Sequence, residues 1–187
     1  MTTSRENGSL YTNIENKIAT IEFGHPASNS FPSVLLDRLE KEINKLSEDE
    51  SVNIILLKSE GEKAFCAGAS FNELIEIEDL ETGKQFFSGF ANVINAMRKC
   101  KKLIVGRVQG KTVGGGVGLV AACDYAMATD AAAIKLSELS IGIGPFVIAP
   151  AVERKMGVDA LAELTLGAHE WKNAYWAKEK GLYAKVF

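Results

Sequence analysis

Two short apolar runs, each preceded by a helical pattern, place the strongest constraint on what this chain can fold into. Val52–Leu57 (VNIILL) and Leu103–Val108 (LIVGRV) have the nearly continuous apolar character of strands that are buried on both faces. A helix that begins near Pro32, with Ser30 as its predicted cap, precedes the first run, and a helix over Glu81–Lys99 precedes the second. Strands that alternate with helices predict an α/β fold with a parallel sheet.

The rest of the chain continues this alternation. Three further strands are predicted, at Lys17–Phe23, Tyr125–Thr129 and Ala133–Leu136. No linker, low-complexity tract or long repeat interrupts the sequence, so we expect one domain over residues 1–187. Its core is expected over about residues 10–145, and a helical segment over about residues 147–187.

The composition argues against several kinds of partner. A formal net charge of −3 provides no basic surface, so no nucleic-acid partner is expected. The longest uncharged run, Leu139–Val152, has 14 residues and is too short to span a bilayer, so no membrane partner is expected either. Cys66, Cys100 and Cys123 are far apart and odd in number, which favours reduced thiols and a cytoplasmic location. Neither of the two histidines lies in a metal-ligand spacing, so we expect no metal.

The segment Val108–Leu119 (VQGKTVGGGVGL) contains five glycines and is the first candidate for a ligand site. A phosphate loop is one interpretation, but Gly106–Thr112 (GRVQGKT) is one residue shorter than the G-x-x-x-x-G-K-T pattern. A dinucleotide site is another, because Gly116–Ala121 satisfies G-x-G-x-x-A and the acidic Glu138 follows about twenty residues later. That fingerprint should begin directly at the end of a strand, whereas the residues GKTV intervene here.

An oxyanion site is the third interpretation of the glycines. Glycine lets the backbone approach a ligand closely, and a helix that begins near Gly115 would have first N–H groups without partners inside the helix. The loop Cys66–Ser70 (CAGAS) has the same character, and Ser70 is predicted to cap a short helix. Each loop could donate one N–H to a carbonyl oxygen that gains negative charge. Close packing of a helix against a sheet is the alternative explanation for each loop taken separately.

Three blocks taken together resemble the crotonase superfamily, the enoyl-CoA hydratase/isomerase group: FCAGASFNEL, VQGKTVGGGVGLVAACD and KLSELSIGIGP. The resemblance implies a spiral of ββα units and an acyl-CoA thioester as the small-molecule substrate, with coenzyme A carried by that substrate and no other cofactor. It implies that the N–H groups of Ala69 and Gly115 bind the oxyanion and that Glu138 is the catalytic acid and base. The residues that it places against the substrate are Cys66, Ala67, Gly68, Gly114 and Gly118.

The resemblance is incomplete at Gly118. The hydratases of the family have a glutamate at this position, in GGGxE, and a second glutamate at the position of Glu138. Hydration divides the handling of water and proton between two carboxylates, whereas one carboxylate suffices to move a proton between two carbons. The sequence therefore favours a Δ3-to-Δ2 enoyl-CoA isomerase. A hydratase and a non-catalytic acyl-CoA-binding member of the family are the alternatives.

Three smaller departures concern binding and assembly. The family often has aspartate at the position of Ser70 and lysine at the position of Asn72, and the lysine lies near the CoA phosphates. Family members usually continue into a longer helical C-terminal region that covers the active site and forms a trimer interface, whereas this sequence ends at Phe187. We therefore expect most of that region to be missing, with weak activity or altered assembly for this chain alone. A homotrimer or a dimer of trimers is expected if the region is present.

Overall fold

Ten strands arranged in two sheets form the framework of residues 7–187, the part of the chain that the computed structural model describes. The strands are β1 (Ser9–Glu15), β2 (Ile18–Gly24), β3 (Ile54–Ser59), β4 (Ala64–Cys66), β5 (Leu103–Val108), β6 (Lys111–Val113), β7 (Tyr125–Ala128), β8 (Ala133–Lys135), β9 (Lys172–Asn173) and β10 (Lys185–Val186). The predicted α/β class is confirmed by this arrangement, because helices connect most of the parallel strands.

Seven α-helices accompany these strands within the described residues. They are α1 (Ser33–Glu48), α2 (Phe71–Ile75), α3 (Leu80–Lys99), α4 (Gly115–Ala122), α5 (Ala149–Met156), α6 (Val158–Leu166) and α7 (Ala174–Glu179). A 3₁₀ turn, Glu138–Ile141, lies between β8 and α5. None of the helices in residues 7–187 has the length and apolar character needed to cross a bilayer.

The larger sheet has the strand order β1-β2-β3-β5-β7-β10, in which only the first pair is antiparallel. One face of this sheet is covered by the core, because alternate residues of β2, β3 and β5 are buried. Helices α1 and α3 pack beside each other and bury apolar stripes in that core. Four phenylalanines, Phe23, Phe31, Phe65 and Phe90, form a chain of edge-to-face and tilted ring contacts at its centre.

The smaller sheet positions the candidate site. Its order is β4-β6-β8-β9, and β4, β6 and β8 run parallel, so their carboxyl ends meet at one edge. The loop of Ala67–Ser70 leaves β4 at that edge, the turn at Gly114 leaves β6, and Glu138 follows β8. The three sequence blocks that carry the resemblance therefore converge in space.

Several element predictions are confirmed and others are corrected. Strand β5 has the predicted bounds, and the Ser70 hydroxyl caps α2 by accepting from the N–H of Glu73. The prediction that Ser30 caps α1 is wrong, because the N-cap is Pro32 and no side chain of that residue caps the helix. The Ser30 hydroxyl instead lies 3.1 Å from Nδ1 of His25.

The patterns also missed strands at the sheet edges and two three-residue strands of the smaller sheet, β4 and β6. Strand β1 was not predicted, because its apolar and polar side chains do not alternate. Five of its seven residues are exposed. The segment after Val147 was predicted as helical with little strand character, and it does contain α5, α6 and α7. It also contains β9 and β10, which have two residues each and are too short to show a period.

Candidate active site

The loop after β4 and the turn after β6 are in direct contact. A Cβ atom on Gly68 would lie 3.2 Å from the carbonyl oxygen of Val113 and 3.7 Å from the nitrogen of Gly115. Gly68 has a φ of +92°, a conformation that L side chains rarely adopt. Glycine at this position therefore allows the two loops to approach each other closely.

A cavity of about 190 Å³ opens beside this contact. Its apolar wall comes from α2, α3, the end of the 3₁₀ turn and the segment that follows it: Phe71, Leu74, Phe86, Phe87, Phe90, Ile141, Ile143, Pro145, Val147 and Ile148. Ala67, Gly68, Ala69, Gly114 and Gly115 also line it, as predicted binding residues would. Among the lining side chains of the described residues, Glu138 alone carries an ionisable group. A mostly apolar pocket with few polar groups is the usual form of a small-molecule site.

The residues on either side of Ala69, Gly68 and Ser70, are both hydrogen-bonded to the backbone of Phe31. The N–H of Phe31 donates to the carbonyl oxygen of Gly68 at 2.8 Å, and the N–H of Ser70 donates to the carbonyl oxygen of Phe31 at 2.9 Å. No acceptor within residues 7–187 bonds the N–H of Ala69 itself. Ala69 lines the cavity, so this N–H is a candidate donor to a ligand there.

The N–H of Gly115 is available for a different reason. Gly115 is the first residue of α4, and the helix bonds begin only with Val117 N–H, which donates to the carbonyl oxygen of Gly114 at 2.8 Å. The N–H groups of a first helical turn have no partners inside the helix and carry the positive end of its dipole. The N–H of Gly115 is therefore suited to an oxygen that carries negative charge.

The Glu138 carboxyl group lies against the backbone of Gly114. A Cβ atom on Gly114 would be 2.9 Å from Oε1 of Glu138, and Gly114 has a φ of +52°. Oε2 of Glu138 is buried and has no hydrogen-bond partner within the described residues. Burial raises the pKa of this carboxyl group above its usual range, and hydrogen bonds from the N–H groups of Glu138 and Ser137 oppose the rise only in part. A carboxyl group with a raised pKa is suited to exchange a proton with a bound ligand.

Two of the predicted binding residues lie behind the cavity wall. Cys66 is fully buried, and its Sγ accepts a hydrogen bond from the N–H of Gly68 at 3.3 Å. Burial raises the pKa of this thiol to about 12, so it stays protonated. At Gly118 a Cβ atom would lie 2.5 Å from Cγ2 of Ile148 and 3.2 Å from Cδ1 of Ile94. Both residues therefore support the wall by packing rather than lining it.

The phenylalanines of the wall were not identified as site residues from the sequence. Phe86 and Phe90 belong to the apolar stripe of α3, which has the spacing of any core-facing helix. Nothing in that spacing distinguishes a ring that faces the cavity from one that faces the core. Within residues 7–187 no group of three or more histidine, cysteine, aspartate or glutamate side chains could hold a metal ion.

Comparison with protein families decides the membership of the chain. The family model described as enoyl-CoA hydratase/isomerase matches residues 13–187. The chain belongs to the enoyl-CoA hydratase/isomerase family. The resemblance to the crotonase superfamily in the three sequence blocks is thereby confirmed, and the α/β crotonase fold with it.

Individual members of the enoyl-CoA hydratase/isomerase family differ in their named reactions. The chain is 29% identical over 174 residues, 92% of its length, to the short-chain-enoyl-CoA hydratase of Clostridium acetobutylicum. It is 26% identical over 162 residues, 79% of its length, to the peroxisomal Delta(3,5)-Delta(2,4)-dienoyl-CoA isomerase of Arabidopsis thaliana. The crystal structure of an enoyl-CoA hydratase of Mycobacterium smegmatis superposes with a TM-score of 0.89 at 29% identity, covering 95% of this chain and 69% of that one.

The chain is shorter than these family members. It spans 66% of the Clostridium protein and 56% of the Arabidopsis protein.

Proposed function

We propose that the protein binds an acyl-CoA thioester and moves its double bond from the Δ3 to the Δ2 position. The observation that carries this proposal is the cavity itself, in which one carboxyl group, that of Glu138, lies beside two loops with available N–H groups. Coenzyme A would be part of the substrate, and the reaction needs no further cofactor. Membership of the enoyl-CoA hydratase/isomerase family supports the choice of substrate class.

The proposed reaction uses Glu138 twice. Its carboxylate removes a proton from C2, the carbon next to the thioester carbonyl, and the electron pair moves to the carbonyl oxygen. The N–H groups of Ala69 and Gly115 donate hydrogen bonds to the resulting enolate oxygen. The protonated Glu138 then returns the proton to C4, and the C3–C4 double bond becomes a C2–C3 double bond. The apolar wall offers few hydrogen-bond partners to a water that would compete for the proton.

The packing at Gly118 supports an isomerase over a hydratase. A second glutamate at this position would have to displace Ile148, since even a Cβ atom would lie 2.5 Å from its Cγ2 atom. The cavity wall of the described residues offers no other carboxylate to deprotonate a water. Addition of water needs both that deprotonation and delivery of a proton to carbon. Hydration of a 2-enoyl-CoA is the competing function, and the Clostridium relative is named for it.

Glu138→Gln tests the proposal. Turnover of a 3-enoyl-CoA should fall by about 10²–10⁴, because the amide neither removes nor returns the proton. Binding of the CoA thioester, measured by calorimetry, should be retained. Both proteins should be assayed in parallel with a 2-enoyl-CoA. Efficient hydration of that substrate by the wild-type protein would contradict the isomerase assignment. Binding without turnover in either form would instead support a non-catalytic acyl-CoA-binding protein.

Assembly and location stay predictions. The family resemblance predicts a homotrimer or a dimer of trimers if the longer C-terminal region is present. Light scattering after size-exclusion chromatography would measure the mass of the particle. A mass of three or six chains would support this assembly, and a monomeric mass would contradict it for this chain. The cytoplasmic location inferred from the cysteines can be checked by fractionation.

A further inference from the structure

The side chain of Glu73 connects the Ala69 loop to the start of helix α1. Glu73 lies in α2, directly after the loop, but it does not line the cavity. The proposed reaction gives it no part. Its contacts nevertheless bear on the geometry of the oxyanion site.

Both carboxylate oxygens of Glu73 accept hydrogen bonds from Ser33. The N–H of Ser33 donates to Oε1 at 3.1 Å and to Oε2 at 3.0 Å, and the Ser33 hydroxyl donates to Oε2. Ser33 is the first residue of α1, where N–H groups lack partners inside the helix and the helix dipole favours a negative charge. Hydrogen bonds to a charged acceptor are stronger than those between neutral groups. Glu73 therefore supplies the cap of α1 from forty residues further along the chain.

Together with other hydrogen bonds, these bonds fix the backbone on both sides of Ala69. Gly68 and Ser70 are both bonded to the backbone of Phe31, at 2.8 and 2.9 Å. The Ser70 hydroxyl accepts from the N–H of Glu73 at 3.4 Å. Phe31 is fully buried, and its ring packs against those of Phe23 and Phe90, so the segment that holds the loop is fixed in the core.

We infer that the Ser33–Glu73 pair positions the N–H of Ala69 toward the enolate oxygen, so that Glu73 is a positioning residue of the proposed reaction. This inference rests on the proposed function, since it requires the N–H of Ala69 to bind the thioester oxygen. Without the Glu73 carboxylate, the loop keeps its two bonds to Phe31 but loses the attachment beyond Ser70. A displacement of about 1 Å at such a group costs about 10² in rate.

Glu73→Ala is the principal variant, and Glu76→Ala is its matched control. Glu76 is an exposed glutamate at the end of the same helix and lies outside the cavity wall. For Glu73→Ala we expect kcat with a 3-enoyl-CoA to fall about 10- to 100-fold while KM changes less than about threefold. Glu73→Gln should recover much of the loss, because its amide oxygen still accepts from Ser33. Glu76→Ala should match the wild type.

A second measurement separates positioning from folding. A 3-ketoacyl-CoA is bound as its enolate by an oxyanion site, and the ultraviolet band of that enolate reports the site without turnover. We expect a weaker band for Glu73→Ala than for Glu76→Ala, at temperatures below the thermal midpoints of both. Ser33→Ala, which removes only the hydroxyl donor, should weaken the band less.

The outcomes distinguish this inference from the proposed function. An enolate band in the wild type that is equally strong in Glu73→Ala would overturn the positioning role and leave the oxyanion site intact. Absence of the band in the wild type would overturn the oxyanion site and the inference together. Equal losses in Glu73→Ala and Glu76→Ala would show that Glu73 acts through the stability of α2 alone, which also contradicts the inference.

Discussion

Gly114 and Gly118 are four positions apart in one glycine-rich segment, yet the structure requires glycine at the two positions for unrelated reasons. At Gly114 the absent side chain leaves room for Oε1 of Glu138, and the φ of +52° is one that L residues rarely adopt. At Gly118 the absent side chain leaves room for Ile148, which packs within the helix interface. Gly114 therefore lies beside the proposed catalytic carboxyl group, whereas Gly118 packs in the core behind the cavity wall.

The same division applies to the two glycines between them. Gly115 begins α4 and lines the cavity, whereas a Cβ atom on Gly116 would lie 2.7 Å from Cβ of Cys66, behind the wall. Close packing and an oxyanion site were alternative explanations of this segment in the sequence. In the structure close packing explains Gly116 and Gly118, and the oxyanion site stays a proposal for Gly115.

Gly115→Pro should have the largest effect of the variants that test this division. Proline removes the N–H that is proposed to bind the enolate, and loss of one such donor lowers kcat by about 10²–10³. Any side chain at this position also meets the ring of Phe90, since a Cβ atom would lie 2.5 Å from Cζ of Phe90. The rate must therefore be compared with that of a variant that has the same clash.

Gly115→Ala is that control, because it adds the Cβ atom and keeps the N–H. Proline should be slower than alanine by about 10²-fold in kcat, while both lose thermal stability to a similar extent. Equal kcat values for the two variants would assign the defect to the Phe90 contact and not to the N–H.

Strands with a local signal could be predicted from sequence, whereas β4 and β6, which lead to the site and have three residues each, were not predicted. Strand β5 is a nearly continuous apolar run and was predicted with its exact bounds. The start of α3 was predicted within one residue, and a capping box between Asp79 and Thr82 explains where it begins. The cap of α1 could not be predicted, because it comes from Glu73, forty residues away.

Gly114→Ala and Gly118→Ala together test the comparison of the two glycines, with effects of intermediate size. For Gly114→Ala we expect a loss of about 1–3 kcal/mol of stability from the strained backbone and a fall of about tenfold in kcat/KM, because the methyl group displaces Glu138. For Gly118→Ala we expect a similar loss of about 1–3 kcal/mol from overpacking against Ile148, with kcat/KM within about threefold of the wild type.

Urea unfolding and steady-state kinetics on both alanine variants measure these quantities. The comparison is broken if Gly118→Ala loses activity as strongly as Gly114→Ala at equal stability. It is sharpened if Gly118→Ala combined with Ile148→Ala loses less stability than the two single variants added together, because the second change removes the Cγ2 atom that meets the new Cβ atom.

The residues of the candidate site were predictable from sequence only where they fall in the three blocks that resemble the crotonase superfamily. The segments of Ala69, Gly115 and Glu138 are such blocks, and β4, β6 and β8 bring them to one edge of the smaller sheet. The packing role of Gly118 depends on Ile148, thirty residues later, and on how α5 packs against α4. No local pattern contains that contact.

The dependence on pH is the smallest of the expected effects and concerns the Gly114 side of the comparison. Because burial raises the pKa of Glu138 above its ordinary value of 4.5, the acidic limb of kcat/KM should lie at higher pH than an ordinary glutamate gives.

The folded state holds the proton of Glu138 more tightly than the unfolded state does. The stability that the proton confers is therefore present below the ordinary pKa and is lost as the pH rises through the folded value. Glu138→Gln should thus gain thermal stability relative to the wild type at pH 7 but not at pH 4. Two results together would contradict this: an acidic limb at the ordinary glutamate value, and thermal midpoints of Glu138→Gln that equal those of the wild type at both pH values. The carboxyl group beside Gly114 would then be solvated, and its contrast with the close packing at Gly118 would fail.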